Sequence, residues 1–347
     1  MLPSHHRAFT DIVQCRTAAM GAHVYRCDSC GHKHVVYHSC KNRHCPKCQG
    51  ELTDVWLEKR RQELLATPHF HLVFTLPAEL RPLVRRHQKI LYGVLMKAAA
   101  HSLMKLAADP RYVGGKLAIL AVLHTWTRTM GYHPHTHLLV AGGGLTEDGY
   151  WVKARRDYLV PVTALSIIFR ALFLKMARKA LPDVKFPEVP WGKSWWIDCR
   201  PTVHGTERVL QYLARYLHKT AFSNRRLIRI ENGKVTFRYQ KCGQRQWRLM
   251  TLPAHEFIRR FLQHVLPKGM HKVRYYRLWN PANRELLRRA QLLLGTCPVP
   301  DAMHDERNDP GDVTADGSSE QQKICPQCQR GKLVLIEIVP RQPRAPP

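Results

Sequence analysis

Acidic residues are scarce in this chain of 347 residues. Lys and Arg number 55 against 26 Asp and Glu, and the formal net charge is +29. Seven of the acids lie within residues 301–320, so the remainder of the chain is more basic still. A field this positive repels itself in a compact fold unless a polyanion neutralises it. Nucleic acid is the polyanion we expect, because Lys and Arg displace its condensed counterions. The alternative is a solvated basic surface, as on ribosomal proteins.

Long hydrophobic runs are also missing. Apolar segments such as LAILAVL (117–123) are far shorter than the roughly 18–20 residues that a membrane span needs. The first residues, MLPSHHRAFTDIVQ, lack the apolar stretch of a secretory signal. We therefore expect no membrane partner and a cytoplasmic location, associated with the nucleoid. In that reducing compartment the eleven cysteines favour metal binding over disulfides.

Six of the cysteines lie within the first 50 residues. Cys27 and Cys30 form one C-x-x-C pair and Cys45 and Cys48 another, a pattern that predicts a single tetrahedral Zn²⁺ ion held by both pairs. Such a module is too short to bury much of a core, so metal binding should supply much of its folding free energy. Four further residues could substitute as ligands or form a second site, although an ordinary structural or surface role is the interpretation we favour for them: Cys15, His38, Cys40 and His44.

A third C-x-x-C pair, Cys325 and Cys328, is half a zinc site. The partners that the sequence nearby offers are Cys297 and His304, but an acidic segment with the composition of a disordered linker lies between them and the pair.

Apolar periodicity places helices and strands along the rest of the chain. The segment HFHLVFTLP (69–77) alternates and ends at Pro77, which predicts a strand. KLAILAVLHTW (116–126) and HTHLLVA (135–141) predict two more strands, joined by a short polar turn and therefore antiparallel. The remaining predictions are helices over about 53–66, 82–108, 162–181 and 204–219, a loop over 142–149, a strand over 194–200, a β-rich stretch over 226–252 and basic helices to about 294.

Histidines are concentrated in the segment HPHTHLLV (133–140). In a strand, residues i and i+2 share a face, so His135 and His137 can converge on one metal ion. His69 and His71 have the same spacing on the preceding strand. A polar pair on a solvent-facing strand is the ordinary alternative for either, and spacing alone does not choose between them.

Two tyrosines, Tyr212 and Tyr216, are one turn apart on the helix predicted over 204–219, so they share one face. A tyrosine hydroxyl can attack a phosphodiester and hold the 5′ end covalently, which conserves the bond energy for rejoining. Simple core packing is the alternative for such a pair. Basic side chains surround the tyrosines, and we expect four of them to contact DNA: Arg215, Lys219, Arg225 and Arg226.

Together these segments resemble one family, the two-tyrosine HUH rolling-circle transposases of the insertion-sequence-91 type. The resemblance covers most of the chain to about residue 290. It is carried by YHSCKNRHCPKCQ (37–49), HFHLVFTLP (69–77), LHTWTRTMGYHPHTHLLV (123–140) and VLQYLARYLHKTAFSNRRL (209–227). It implies an α+β fold, in which an HUH endonuclease domain on a central antiparallel sheet flanked by helices follows a small zinc-binding domain.

The resemblance also implies roles for residues. His135 and His137 become ligands of a catalytic Mg²⁺ or Mn²⁺ ion, and Tyr212 and Tyr216 the nucleophiles that cleave and rejoin single-stranded DNA through a 5′-phosphotyrosine. His69 and His71 then take supporting or DNA-facing roles. Thr136 departs from the family, which usually has a hydrophobic residue between the two histidines. A third ligand is implied but not identified, and four residues remain open: His124, His133, Gln211 and His218.

The expected domains are a zinc-binding, DNA-contacting domain (1–62), a two-tyrosine nuclease domain with a basic C-terminal part (63–295), an acidic linker (296–322) and a short C-x-x-C tail (323–347). A helicase-fused relative is disfavoured, because Pro187 stands where a P-loop needs glycine. Two alternative functions stay open: a rolling-circle replication initiator or relaxase with the same chemistry, and a zinc-dependent DNA-binding protein that does not cut.

Overall fold

The computed structural model describes residues 2–48, 57, 60–155, 157–188, 195–202, 220–240, 244–296 and 324–343. The chain divides into two compact units. One contains both ends of the chain, residues 1–52 and 307–347, and the other contains residues 53–306. Within the described ranges, no helix is long and apolar enough to cross a membrane.

Six helices and thirteen strands follow one another in the described ranges. The helices are α1 (Pro3–Gln14), α2 (Arg81–Arg86), α3 (Gln88–Ala107), α4 (Val162–Ala180), α5 (Ala254–Leu262) and α6 (Arg284–Leu293). The strands are β1 (Ala22–Cys27), β2 (Lys33–Tyr37), β3 (His69–Thr75), β4 (Ala118–Trp126), β5 (Tyr132–Ala141), β6 (Gly143–Leu145), β7 (Trp151–Lys153), β8 (Ile197–Pro201), β9 (Leu227–Glu231), β10 (Lys234–Gln240), β11 (Trp247–Pro253), β12 (Val273–Arg277) and β13 (Leu333–Val339).

In the unit formed by the chain ends, three antiparallel strands make a sheet of order β13-β1-β2. β1 and β2 form a hairpin in which Ala22 pairs with Tyr37 and Arg26 with Lys33. β13, some 300 positions later in the sequence, pairs along the other edge of β1 from Ala22 to Cys27. The C-terminal tail is therefore an integral strand of the N-terminal unit.

The second unit is built on a five-stranded antiparallel sheet of order β12-β4-β5-β3-β8. α3 and α4 cover one face. α4 presents Leu165, Phe169, Phe173 and Ala177 to that face because residues four apart lie along one side of a helix. Each fully buried Leu or Phe stabilises the fold by about 1.5–3 kcal/mol relative to exposure. The expected α+β architecture with a central antiparallel sheet is confirmed.

The opposite face of the sheet is only partly covered by apolar residues. α6 contributes Leu287 and Ala290 to a smaller core that contains Leu120 and Leu139 of the sheet. Along β4 and β5 the same face continues beyond this core with histidines instead of aliphatic residues. This change from apolar to imidazole side chains positions the candidate site.

Three predicted elements differ from the structure in detail. The helix predicted over 82–108 is interrupted at His87, whose φ of −116° and ψ of 45° separate α2 from α3. β5 starts at Tyr132, before Pro134. The proline is tolerated inside the strand because the pairing of β5 with β3 begins only at His135, so its missing N–H leaves no bond to β3 unmade. The loop predicted over 142–149 contains β6, which pairs with β7. A Cβ on Gly144 would lie 2.8 Å from the backbone of Gly115, so only glycine at position 144 allows these two segments to lie so close together. The helix predicted over 204–219 lies outside the described residues.

A third antiparallel sheet, of order β11-β10-β9, packs beside α5. Its small core joins Phe237 of β10 to Phe222 and Met130. Met130 belongs to the turn between β4 and β5, so this sheet is anchored next to the strands that carry the histidines.

Candidate functional site

Three histidines lie together on one face of the central sheet. His124 is on β4, and His135 and His137 are on β5; His124 is the direct cross-strand partner of His135. One ring nitrogen from each lies within 4.8 Å of the others. Imidazole nitrogens that share an ion sit about 2.0–2.1 Å from it, so small side-chain rotations would bring all three into coordination. The donor set therefore fits a divalent cation.

Hydrogen bonds orient two of these rings. His135 Nδ1 lies 2.7 Å from the backbone oxygen of His133, which can only accept, so Nδ1 carries the proton. In the neutral ring, Nε2 then carries the lone pair that a metal requires. His137 Nδ1 lies 2.8 Å from His71 Nε2, so His137 also has a hydrogen-bond partner at Nδ1. Such outer contacts are typical of metal-ligating histidines.

The cluster is half covered. His124 is buried at 3% exposure, whereas His135 and His137 are intermediate. Trp126 stacks on His124, with ring centroids 4.6 Å apart, and Lys272 Nζ lies 5.2 Å from the centre of the Trp126 ring. The histidines thus have a closed side against the sheet and an accessible side flanked by an aromatic ring and a cation.

The rival histidine pair on β3 has supporting positions. His71 contacts His137, and burial lowers the pKa of His71 to about 4, which keeps the ring neutral. His69 is buried at 2% exposure and stacks on Trp279, with ring planes 8° apart. Burial lowers the pKa of His69 to about 4 as well. His71 therefore lies beside the cluster on the neighbouring strand, whereas His69 packs against Trp279.

Of the four residues left open as a third ligand, His124 is the one that the structure groups with His135 and His137. His133 is not part of this group, and its backbone oxygen accepts from His135, while Gln211 and His218 lie outside the described residues. Spacing within a single strand could not identify His124, because its approach depends on the register between β4 and β5. That register shifts between His124 and Trp126.

The remaining candidate residues of the nuclease region fall into two groups. Tyr212, Arg215, Tyr216 and Lys219 lie outside the described residues. Arg225 is exposed, but Arg226 is half-buried, lies over the rings of Phe222 and Phe237, and donates to backbone oxygens of Arg128 and Arg238. Besides the DNA contact predicted for it, the Arg226 guanidinium therefore makes contacts that stabilise the protein.

Four buried cysteines form a cluster in the unit of the chain ends: Cys15, Cys40, Cys45 and Cys48. Sγ of Cys48 lies 3.4 Å from Sγ of Cys15 and 3.7 Å from Sγ of Cys40. With Zn–S bonds of about 2.3 Å, tetrahedral thiolates lie roughly 3.8 Å apart, whereas a disulfide needs about 2.05 Å. The spacing fits a tetrathiolate metal site.

The two N-terminal C-x-x-C pairs do not share an ion, so the predicted grouping of Cys27, Cys30, Cys45 and Cys48 is wrong. Cys27 ends β1 at the tip of the β1–β2 hairpin, and Cys45 follows the strand that leads back to the base. Five residue steps of a strand separate tip from base by roughly 17 Å. Sγ of Cys27 and Cys30 instead meet those of Cys325 and Cys328. Cys297 and His304, the partners suggested for that tail, lie outside the described residues.

Comparison with known proteins relates both parts of the chain to transposases. The family described as "Transposase zinc-binding domain" matches residues 1–76, and the family described as "Putative transposase" matches residues 118–286, the range that contains the three histidines. No solved structure matches.

Two relatives extend the match along the chain. "Putative transposase y4qJ" of Sinorhizobium fredii is 41% identical over 96% of this chain and 89% of its own length. "Transposase for insertion sequence element IS801" of Pseudomonas savastanoi pv. phaseolicola is 30% identical over 77% of this chain and 68% of its own. The chain belongs to this insertion-sequence transposase family, as its motifs predicted. The zinc-binding match and the buried cysteine cluster together assign Zn²⁺ to the N-terminal region.

Proposed function

We propose that this transposase cleaves and rejoins single-stranded DNA through a 5′-phosphotyrosine intermediate in rolling-circle transposition. His124, His135 and His137 hold a Mg²⁺ or Mn²⁺ ion in this proposal, and Tyr212 and Tyr216 are the nucleophiles. The observation that carries it is the convergence of three imidazoles on adjacent strands of the central sheet, within the range matched by the transposase family. The tyrosine roles rest on the sequence motif.

The histidines and the tyrosines have different roles in this proposal. The histidines determine where the DNA strand is cleaved, because each extends from a β-strand held in register by the sheet. A divalent cation bound there would draw electron density from the scissile phosphate and lower its repulsion of the nucleophile. The ordinary tyrosine pKa is near 10, so only about one phenol in a thousand is ionised at neutral pH. Basic residues that neighbour the tyrosines in the sequence, such as Arg215 and Lys219, would favour the phenolate.

The reaction conserves phosphodiester bonds. The tyrosine oxygen attacks phosphorus and loses its proton, the bond from phosphorus to the 3′ oxygen breaks, and that oxygen gains a proton to leave a free 3′ hydroxyl. Rejoining reverses these steps with a 3′ hydroxyl as the nucleophile. A second tyrosine allows a second strand to be held covalently before the first is released.

Positive charge near the site supports a DNA substrate. Arg200 on β8 is exposed at the edge of the histidine face, where it also pairs with Asp198, and Lys272 lies over Trp126. Arg225 is exposed beside the third sheet. Phosphate contacts of this kind supply affinity without sequence preference, and an aromatic ring at the site can stack on an unpaired base.

The test incubates the full chain with single-stranded oligonucleotides from the ends of its element, labelled at the 3′ end, with and without Mn²⁺. A covalent adduct that migrates with the protein under denaturing conditions is expected only with metal. Tyr212→Phe and Tyr216→Phe each reduce the adduct, and the double variant abolishes it. Tyr150→Phe removes a tyrosine that is 68% exposed and remote in sequence, and it leaves the adduct unchanged.

Histidine variants complete the design. His135→Ala and His137→Ala are expected to lose the adduct while retaining DNA binding, and His255→Ala, at an exposed position, retains both. Binding without an adduct under any divalent metal would contradict the proposal and favour a protein that binds DNA without cutting it. An adduct formed only on plasmid-origin sequences would favour a replication initiator.

A further inference from the structure

A second group of four cysteines joins the two ends of the chain. Cys27 and Cys30 come from the β1–β2 hairpin, and Cys325 and Cys328 from the segment before β13. Sγ of Cys27 lies 3.7 Å from that of Cys328, and Sγ of Cys30 lies 3.8 Å from that of Cys325. Both distances match the roughly 3.8 Å expected between thiolates around tetrahedral zinc and are far longer than a disulfide bond.

The two C-x-x-C segments have the same backbone hydrogen bonding. In the first, the amide of Gly31 donates to the backbone oxygen of Cys27 at 3.1 Å; in the second, the amide of Gln329 donates to that of Cys325 at 2.9 Å. Gly31 and Gln329 both adopt positive φ, 69° and 57°. A non-glycine residue at positive φ is uncommon, so the repetition in an unrelated sequence indicates that both turns are shaped for the same task.

Backbone amides also point at the sulfurs. The amides of Ser29 and Cys30 lie 3.4 Å from Sγ of Cys27, and that of Gly331 lies 3.4 Å from Sγ of Cys328. Amide donors stabilise an anionic sulfur, the form that binds metal.

The two segments are locked side by side. The amide of Lys332 donates to Oδ1 of Asp28 at 2.8 Å, and the amide of Asp28 donates to the backbone oxygen of Lys332 at 3.1 Å. Gly331 passes so close that a Cβ there would lie 2.4 Å from Sγ of Cys27. Glycine at this position is what allows the second segment to approach the first.

We propose that Cys27, Cys30, Cys325 and Cys328 bind a structural Zn²⁺ ion, distinct from that of the Cys15 cluster, which fastens the C-terminal strand β13 to the N-terminal unit. The family match that assigns zinc ends at residue 76 and so does not include the tail cysteines. The chain then carries two tetrathiolate zinc ions. This proposal does not depend on the nuclease chemistry.

Zinc content is the first test, measured by mass spectrometry of the purified full chain with metal-free buffers. Cys325→Ser combined with Cys328→Ser is expected to lose one zinc ion per chain, and Cys40→Ser combined with Cys45→Ser loses the other. Cys199→Ser, a half-buried cysteine outside both clusters, loses none. Gly331→Ala keeps every thiol and is expected to weaken one of the two zinc ions selectively, so the readout does not depend on removing ligands.

Attachment of the tail is the second test. A specific protease site is placed within residues 301–320 and the purified chain is cut. The C-terminal fragment is expected to remain bound during gel filtration and to be released by a strong zinc chelator. Unchanged zinc content in the Cys325→Ser, Cys328→Ser variant, iron in place of zinc, or disulfides among these four residues in unreduced protein would each overturn the proposal. So would a cut fragment that stays attached after all zinc has been removed.

Discussion

His71 Nε2 lies 2.8 Å from Nδ1 of His137, with the two ring planes only 11° apart. Nearly coplanar rings at this distance are joined by a single N–H···N hydrogen bond. Because burial keeps His71 neutral, with a pKa of about 4, it can accept the Nδ1 proton of His137. His137 would then present Nε2 to the ion, as His135 does through its bond to the backbone oxygen of His133.

We expect replacement of His71 by Leu to lower the affinity for Mn²⁺ by roughly 10–100-fold, since outer-shell partners of metal ligands typically contribute that much. His71→Gln retains an acceptor and should restore part of the loss. Calorimetric titration of Mn²⁺ into metal-free protein measures both. Equal affinities for the Leu variant and the unmodified chain would show that His71 does not orient His137.

His124 should behave as a full ligand. His124→Ala is expected to reduce Mn²⁺ affinity by more than about 100-fold, beyond the effect of an outer-shell change, and to the same extent as His135→Ala. Electron paramagnetic resonance of free Mn²⁺ reports the bound fraction. His255→Ala is the matched control. If His124→Ala bound Mn²⁺ normally while His135→Ala did not, the third ligand would lie elsewhere in the chain.

Adjacent arginines should separate DNA binding from stability. Arg225→Ala removes an exposed charge, so it should weaken single-stranded DNA binding and reduce the salt dependence by about 0.7 in the logarithmic slope, with little change in stability. Arg226→Ala removes contacts to two backbone oxygens and two aromatic rings, and it should cost about 1–3 kcal/mol of unfolding free energy. Fluorescence anisotropy and urea unfolding measure the two effects. Loss of stability in Arg225→Ala together with loss of DNA binding in Arg226→Ala would contradict these two roles.

Buried histidines should make the fold sensitive to acid. Burial lowers the pKa values of His69 and His264 from the ordinary 6.5 to about 4. Between those pH values the unfolded chain binds more protons than the folded chain, so the free energy of unfolding falls as pH falls from 6.5 to about 4. For a fully buried histidine the loss is at most about 3 kcal/mol.

His69→Phe isolates one such contribution. Phe can keep the stacking contact with Trp279 but carries no titratable group. The variant should therefore lose less unfolding free energy between pH 6.5 and about 4 than the unmodified chain, as measured by urea unfolding at several pH values. Parallel pH profiles for the two proteins would show that His69 does not carry this effect.

Local sequence pattern predicted the elements around the site well. Alternation predicted the strand of His69, and a short apolar run predicted that of His135. The i and i+2 spacing of His135 and His137 needed no tertiary information. The position of Thr136 between them is buried, and its hydroxyl donates to the backbone oxygen of Val122, so this departure from the family pattern is satisfied locally.

What local pattern missed depended on pairing between distant segments. His124 joins its partners only through the register of β4 and β5, which includes a shift. Cys27 finds Cys328 only because β13 adds to a hairpin some 300 residues away in sequence. Spacing of C-x-x-C pairs predicts a turn that holds two thiolates, but it does not identify which pairs share an ion.

The proposed chemistry is tested most directly by locating the covalent link. The adduct formed with Mn²⁺ on an oligonucleotide from the element's end is digested with nuclease and trypsin, and the modified peptide is sequenced by mass spectrometry. We expect a nucleotide esterified through its 5′ phosphate to Tyr212 or Tyr216, and no modified peptide from His124→Ala or His135→Ala protein. A nucleotide on any other residue, or an adduct that forms without these histidines, would contradict the proposed chemistry.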